Sequence, residues 1–313
     1  MKKIIPVMIS LLLLTGCSDN TELGDRAIIQ AAAIDFDRGE YRVSALLFSS
    51  GGGSGDTIDA SQDNVIKVTG SGKTLAEAID NISLTDGKEI YMSETKLLIL
   101  GGGFSEVSAL PALNTLYYDM RCSLNMPVCF SEDAELLTDL RFKEGITAAE
   151  KPLSMIEHAC AAGAYPKAIL LDVLADNAGE RATLIPAFEE TENGYGMTDD
   201  EEGKTAVLSG SCYMIDGRLS APFDSAMTTG LMLLTGQTDK ILLNFRAGED
   251  DSEYTCEAYC IKVELLPDKE DTVKVCARFR ERNGAALTEE QCDYALAALA
   301  ELVRGAMTMN LST

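Results

Sequence analysis

Apolar positions along the chain recur with two periods, and the two mark different elements. Residues 27–37 are extended and apolar, 35–40 (DFDRGE) form a turn, and 41–48 run back, which predicts a β-hairpin. A third strand is expected at 65–69. Thr74 then opens a helix, with Glu77 three residues on as a capping box and Leu75, Ala78, Ile79 and Ile82 as the apolar face. One strand is expected over 90–100, ending in Gly101-Gly102-Gly103. A helix over 104–120 follows, with Pro111 at a break or restart. Next come a strand at 124–130, a helix at 132–140, helices at 153–162 and 167–175, and a short strand at 183–188.

Residues 189–204 are acidic and rich in glycine, with no apolar period. Beyond them, 206–215 and Leu219 flank a turn at Asp216-Gly217, a second hairpin signal. A short helix is expected within 223–234. Three strands at 240–246, 254–265 and 272–280 precede a last helix, capped by Thr288 and Gln291, with Cys292, Ala295, Leu296, Leu299 and Val303 on its apolar stripe. The expected class is α+β, mixed sheets with flanking helices in two or more small domains. The expected division is 27–188, an acidic linker at 189–204, and 205–313.

The first residues change the picture. Lys2 and Lys3 precede an apolar run from Ile4 to Leu14, then Thr15-Gly16-Cys17. The run is shorter than the roughly 20 residues a spanning helix needs, so it reads as a cleaved signal peptide over 1–16. Leu14-Thr15-Gly16-Cys17 is a lipobox. Cleavage is expected between Gly16 and Cys17, with lipid on the Cys17 thiol and 17–26 as the tether. At about 0.8 kcal/mol per buried CH₂, two or three acyl chains hold a protein on the outer face of a membrane.

Formal net charge is −24, and −26 once Lys2 and Lys3 leave, with 24 basic against 50 acidic side chains. Such a surface repels phosphates, which excludes nucleic acid as the expected partner and predicts a body that projects away from the bilayer. Cys122, Cys129, Cys160, Cys212, Cys256, Cys260, Cys276 and Cys292 remain after lipidation. Their spacing shows no disulfide framework and no C-x-x-C. Most are expected to be small buried hydrophobes, and Cys256 and Cys260 are expected on one strand face, too far apart to bond.

No catalytic constellation emerges. Gly70-Ser71-Gly72-Lys73-Thr74 resembles the end of a P-loop, but Lys67 stands where the first glycine should be. His158, the single histidine, lies on a predicted helix, where its neighbour-but-one Cys160 points elsewhere. It is expected to be a lone, partly buried histidine. The chain has no Trp and 6% aromatics, so it lacks the aromatic platforms that sugar sites usually use. No cofactor and no metal site is expected. The glycine runs 51–53 and 101–103 read as a flexible loop and a strand-to-helix turn.

Several segments in order resemble the Ger(x)C family of spore germination lipoproteins, the C subunits of germinant receptors. These are Glu22 to Ile29 followed by Ala33-Ile34-Asp35; Gly72-Lys73-Thr74-Leu75-Ala76-Glu77-Ala78-Ile79; Tyr91, Lys96 and Gly101; Leu208 to Leu219; and Thr228-Thr229-Gly230-Leu231. Ser18-Asp19 stands where the family often has Trp-Asp, and the family's second domain usually continues further than residue 313. The resemblance implies a non-enzymatic subunit, lipid-anchored to the outer face of the spore inner membrane. It would scaffold or couple two integral membrane subunits, A and B, that respond to nutrients. The rival readings are a solute-binding lipoprotein of a transporter and a cell-envelope hydrolase.

Overall fold

Strand β1 (Arg26–Asp37) is the axis of the larger sheet, with neighbours of opposite sense on its two sides. It turns at Arg38-Gly39 into antiparallel β2 (Glu40–Phe48), which pairs with β3 (Val65–Gly72). On its other side β1 is parallel to β5 (Leu97–Leu100), β5 to β6 (Val128–Ser131), and β6 to β7 (Thr183–Thr191). Antiparallel β8 (Thr205–Ile215) follows β7, with the short β9 (Arg218–Leu219) and β10 (Phe223–Asp224) paired to it. The computed structural model describes residues 26–48, 65–139, 149–191, 205–248, 252–265, 273–282 and 284–310. The signal segment with Gly16 and Cys17, the glycine run 51–53 and residues 192–204 lie outside these.

Helices cover both faces. On one lie α1 (Leu75–Asp86), α2 (Leu110–Tyr118) and α5 (Leu170–Ala178). On the other lie α3 (Leu136–Asp139) and α4 (Glu150–Ala161). A bulge between Ile29 and Ala31 shifts the register of β1, so Ile29, Ala32 and Ile34 face the first set while Ala31 and Ala33 face the second. The four residues expected on the α1 face are its buried ones. Burying a Leu or Ile side chain is worth about 1.5–3 kcal/mol, so that face suffices to dock the helix. Thr74 caps it as expected, accepting from the Glu77 N–H, while Glu77 reaches back to the Lys73 N–H.

A second sheet of three antiparallel strands, β11 (Lys240–Ala247), β12 (Ser252–Leu265) and β13 (Val273–Glu281), packs one face on α7 (Glu289–Asn310). Between the sheets, α6 (Ser225–Leu234) lies against α7, with Leu184, Leu231, Met232 and Ala306 in a shared cluster. The α+β class stands.

Several elements differ from expectation. The strand expected over 90–100 is two pieces. β4 (Glu89–Tyr91) pairs with the start of β1, and a turn closed by the Thr95 N–H on Met92 O separates it from β5. The helix expected over 104–120 is a 3₁₀ turn, Gly102–Ser105, followed by α2, with Pro111 in the first turn where no N–H is missed. The strand expected over 124–130 shortens to β6, because Ser123–Met126 close a turn. Within the expected linker, Glu189–Thr191 continue β7, and β7 pairs with β8 from Thr183↔Met214 to Thr191↔Thr205. The larger sheet therefore runs across the expected boundary, and residues 205–224 belong to it rather than to a second unit.

Candidate functional site

In open sheets with parallel strands, ligands bind beyond the carboxyl ends of the strands where neighbouring connections diverge. Here that point is between β1, which turns towards β2, and β5, whose chain passes on to β6. The protein's own atoms fill it. Asp35 Oδ1 accepts from the Phe36 N–H at 2.8 Å and from the Gly103 N–H at 2.9 Å. A Cβ on Gly101 would lie 2.4 Å from Asp35 Cγ, and one on Gly103 would lie 2.0 Å from Phe36 O. Gly101–Gly103 is thus a packed joint. It is a strand-to-helix turn, as expected, and its glycines are there for close approach.

Beside the joint is a small polar recess of about 60 Å³, lined by Ala33, Asp35, Arg42, Ser44, Asp133, Ala134 and Glu135. Asp35 and Arg42 are direct cross-strand partners, and Arg42 also reaches Asp37 at 3.5 Å. The Ser44 and Thr138 hydroxyls share a buried hydrogen bond of 3.1 Å. At the rim, Lys67 bridges Glu135 and Asp139. Burial lowers the Lys67 ammonium, but the hydrogen bonds to Asp139 and Glu135 outweigh it and hold the group above its ordinary value. Pattern reading missed this set because its members come from β1, β2, β3 and the 131–139 segment. Only the period-2 alternation of Ala33/Asp35 and Arg42/Ser44 hinted at a shared face. Every charged group of the recess has a partner: Arg42 pairs with Asp37, Glu135 with Lys67, and the Asp35 and Asp133 carboxylates accept backbone N–H groups.

The other candidates separate. At the Gly-Lys-Thr turn, a Cβ on Gly72 would lie 2.6 Å from Ala78 N, so the backbone lies against helix α1 where a phosphate would have to fit. His158 is exposed on α4, not partly buried. Its neighbour Cys160 donates to Pro166 O at 3.2 Å, and burial pushes that thiol up, away from thiolate chemistry. Of the eight cysteines, Cys122, Cys129, Cys212 and Cys256 are buried, Cys160 and Cys292 half-buried, and Cys260 and Cys276 exposed; all eight are free thiols. Cys256 and Cys260 do not share a face. Pairing shifts between Tyr259 and Lys262, and Cys260 takes a φ of 53°, so the bulge turns it outward. Among the described residues no group of three or more His, Cys, Asp or Glu side chains could hold a metal.

What decides the kinship is a family match over more than half of the chain. The spore germination protein N-terminal domain matches residues 19–190. The chain belongs to the Ger(x)C family of spore germination proteins. A Bacillus subtilis (strain 168) protein named for spore germination, YfkR, is 26% identical over 243 residues, which is 74% of this chain and 60% of YfkR. The chain therefore spans less than two thirds of that relative's length. The crystal structure of the GerBC protein is similar over 88% of this chain and 80% of that one, with 15% identity and a TM-score of 0.45.

The segments that resemble the Ger(x)C family lie at joints of this fold. Ala33-Ile34-Asp35 meets Gly101 at the closed switch point. The Asp216-Gly217 turn docks on the start of α2, where the Ala109 N–H donates to Gly217 O at 2.7 Å. In Thr228–Leu231, Thr228 shares a buried 2.8 Å hydrogen bond with Ser211 of β8, and Gly230 lies against Leu302 and Ala306 of α7.

Proposed function

We propose that this Ger(x)C chain is the lipid-anchored, non-enzymatic subunit of a spore germinant receptor, scaffolding or coupling the A and B integral membrane subunits. The observation that carries the reading is family membership over residues 19–190 directly behind a lipobox ending at Cys17. The closed switch point argues against a solute cleft at that position. Among the described residues no helix is long and apolar enough to cross a membrane. On this reading attachment comes from acyl chains on Cys17, on the outer face of the spore inner membrane.

Deleting the gene and scoring germination against a nutrient panel tests the role. Loss of the response to at least one nutrient, restored by the wild-type gene and not by Cys17→Ala, is the expected result. Unchanged germination with every nutrient would count against it. The Cys17→Ala chain should fold and leave the membrane fraction.

A further inference from the structure

The acidity of this chain is not evenly spread. The three-stranded sheet buries one face on α7 and leaves the other open, and the register fixes which residues share the open face. They are Lys240, Leu242, Asn244 and Arg246 on β11; Glu253, Thr255, Glu257, Tyr259, Lys262 and Glu264 on β12; and Lys274, Cys276, Arg278 and Arg280 on β13. This one face carries six basic side chains against three acidic ones, in a chain with 26 basic and 50 acidic residues. The three acids are already matched. Glu257 pairs with Lys240 and Arg280, Glu253 with Arg246, and Glu264 with Lys274 at 3.9 Å. Lys262 and Arg278 are exposed and have no acidic partner among the described residues. They flank exposed Cys276, with Lys262 directly across from it.

We propose that this open face lies against a bilayer containing anionic phospholipid. The inference rests on the lipid-anchored reading above, which puts the folded body beside such a surface. Three observations favour a bilayer over an acidic protein partner. The charges are spread in the plane of a sheet rather than gathered in a cleft. Leu242, 43% exposed, and the amphipathic ring of Tyr259 sit among them, as suits the interface between headgroups and acyl chains. The excess positive charge belongs to the strand rows of this face: the acids at 249–251 and at 268, 270 and 271 lie in the segments that join the strands, outside those rows.

Cys276 is a built-in reporter. The acylated full chain is mixed with phosphatidylcholine vesicles, or with vesicles that also contain phosphatidylglycerol. Labelling of Cys276 by a membrane-impermeant maleimide is followed by peptide mass spectrometry, and flotation with the vesicles is scored separately. Labelling of Cys276 should slow about tenfold with phosphatidylglycerol only, and recover in high salt. In Lys262→Glu/Arg278→Glu, with unchanged circular dichroism, both vesicles should give the same rate, while Lys262→Arg/Arg278→Lys should keep the protection. Equal labelling in both lipids, or protection in both, overturns the proposal. Protection that needs other spore proteins would assign the face to an acidic protein and overturn it as well. Failure to float with phosphatidylcholine is a different result: it removes the Cys17 anchor, and the labelling ratio still reads the face.

Discussion

The Asp35 carboxylate accepts the Gly103 backbone N–H at 2.9 Å, joining the end of β1 to the turn after β5. The same oxygen takes the Phe36 N–H, so one atom satisfies two donors at the closed switch point. Asp35→Ala strands both donors at a part-buried position, and a stranded donor costs about 1–3 kcal/mol. Asp35→Asn keeps an acceptor in place and should cost roughly 1 kcal/mol or less. Urea unfolding of the two variants checks this. Equal losses would mean that the carboxylate's charge, not its hydrogen bonds, holds the joint.

Gly230 sets the distance between α6 and α7. A Cβ there would lie 2.2 Å from Leu302 O and 3.0 Å from Ala306 Cβ. Gly230→Ala should force the helices apart and cost about 1–3 kcal/mol, with faster hydrogen exchange in both. Gly305→Ala, on the same helix α7 but with nothing within 4 Å of its Cβ position, should instead raise stability by about 0.5–1 kcal/mol. Melting curves of the two alanine variants should move in opposite directions.

Local sequence was informative where the local signal was also the tertiary one. Helix α1 is legible because its apolar stripe, Thr74 and Glu77 all point the same way, and burial agrees. The split of 90–100 had a signal in Ser93-Glu94-Thr95-Lys96, four polar residues in a row that the apolar flanks obscured. The pairing of β7 with β8 had none. Nothing within 183–191 specifies that β8 is its partner, since the pairing is a contact between distant residues. The joints were half visible: Asp35 and Gly101 stood out separately as family positions, and only the fold brings them together.

Thiol reactivity should follow burial. Burial pushes the Cys122 thiol up to about 12 and the Cys129 and Cys212 thiols higher still. These three should resist maleimide in the folded protein even at pH 9 and react only on unfolding, whereas exposed Cys260 and Cys276 react at once. Native-state labelling followed by peptide mass spectrometry reads all the sites together. Prompt labelling of Cys129 would mean that the sheet between α2 and α4 opens more readily than its packing implies.

On the open face of the second sheet, Glu257 sits between Arg280 and Lys240, whose hydrogen bonds pull its carboxyl from 4.5 down to about 2. A carboxyl depressed in the folded state stabilises that state above its ordinary value, and the contribution disappears as pH falls through the folded value. The Glu257 pairing should therefore be intact at neutral pH and weaken between about pH 4.5 and pH 2. Carboxyl-selective NMR titration should place its midpoint near the lower end. In Glu257→Gln the second sheet should lose that part of its acid sensitivity, and high salt should shrink the difference between the two proteins because the pair is near solvent. A midpoint for Glu257 at its ordinary value would show that Arg280 and Lys240 spend their time elsewhere, and would leave both free to add to the positive charge of the face.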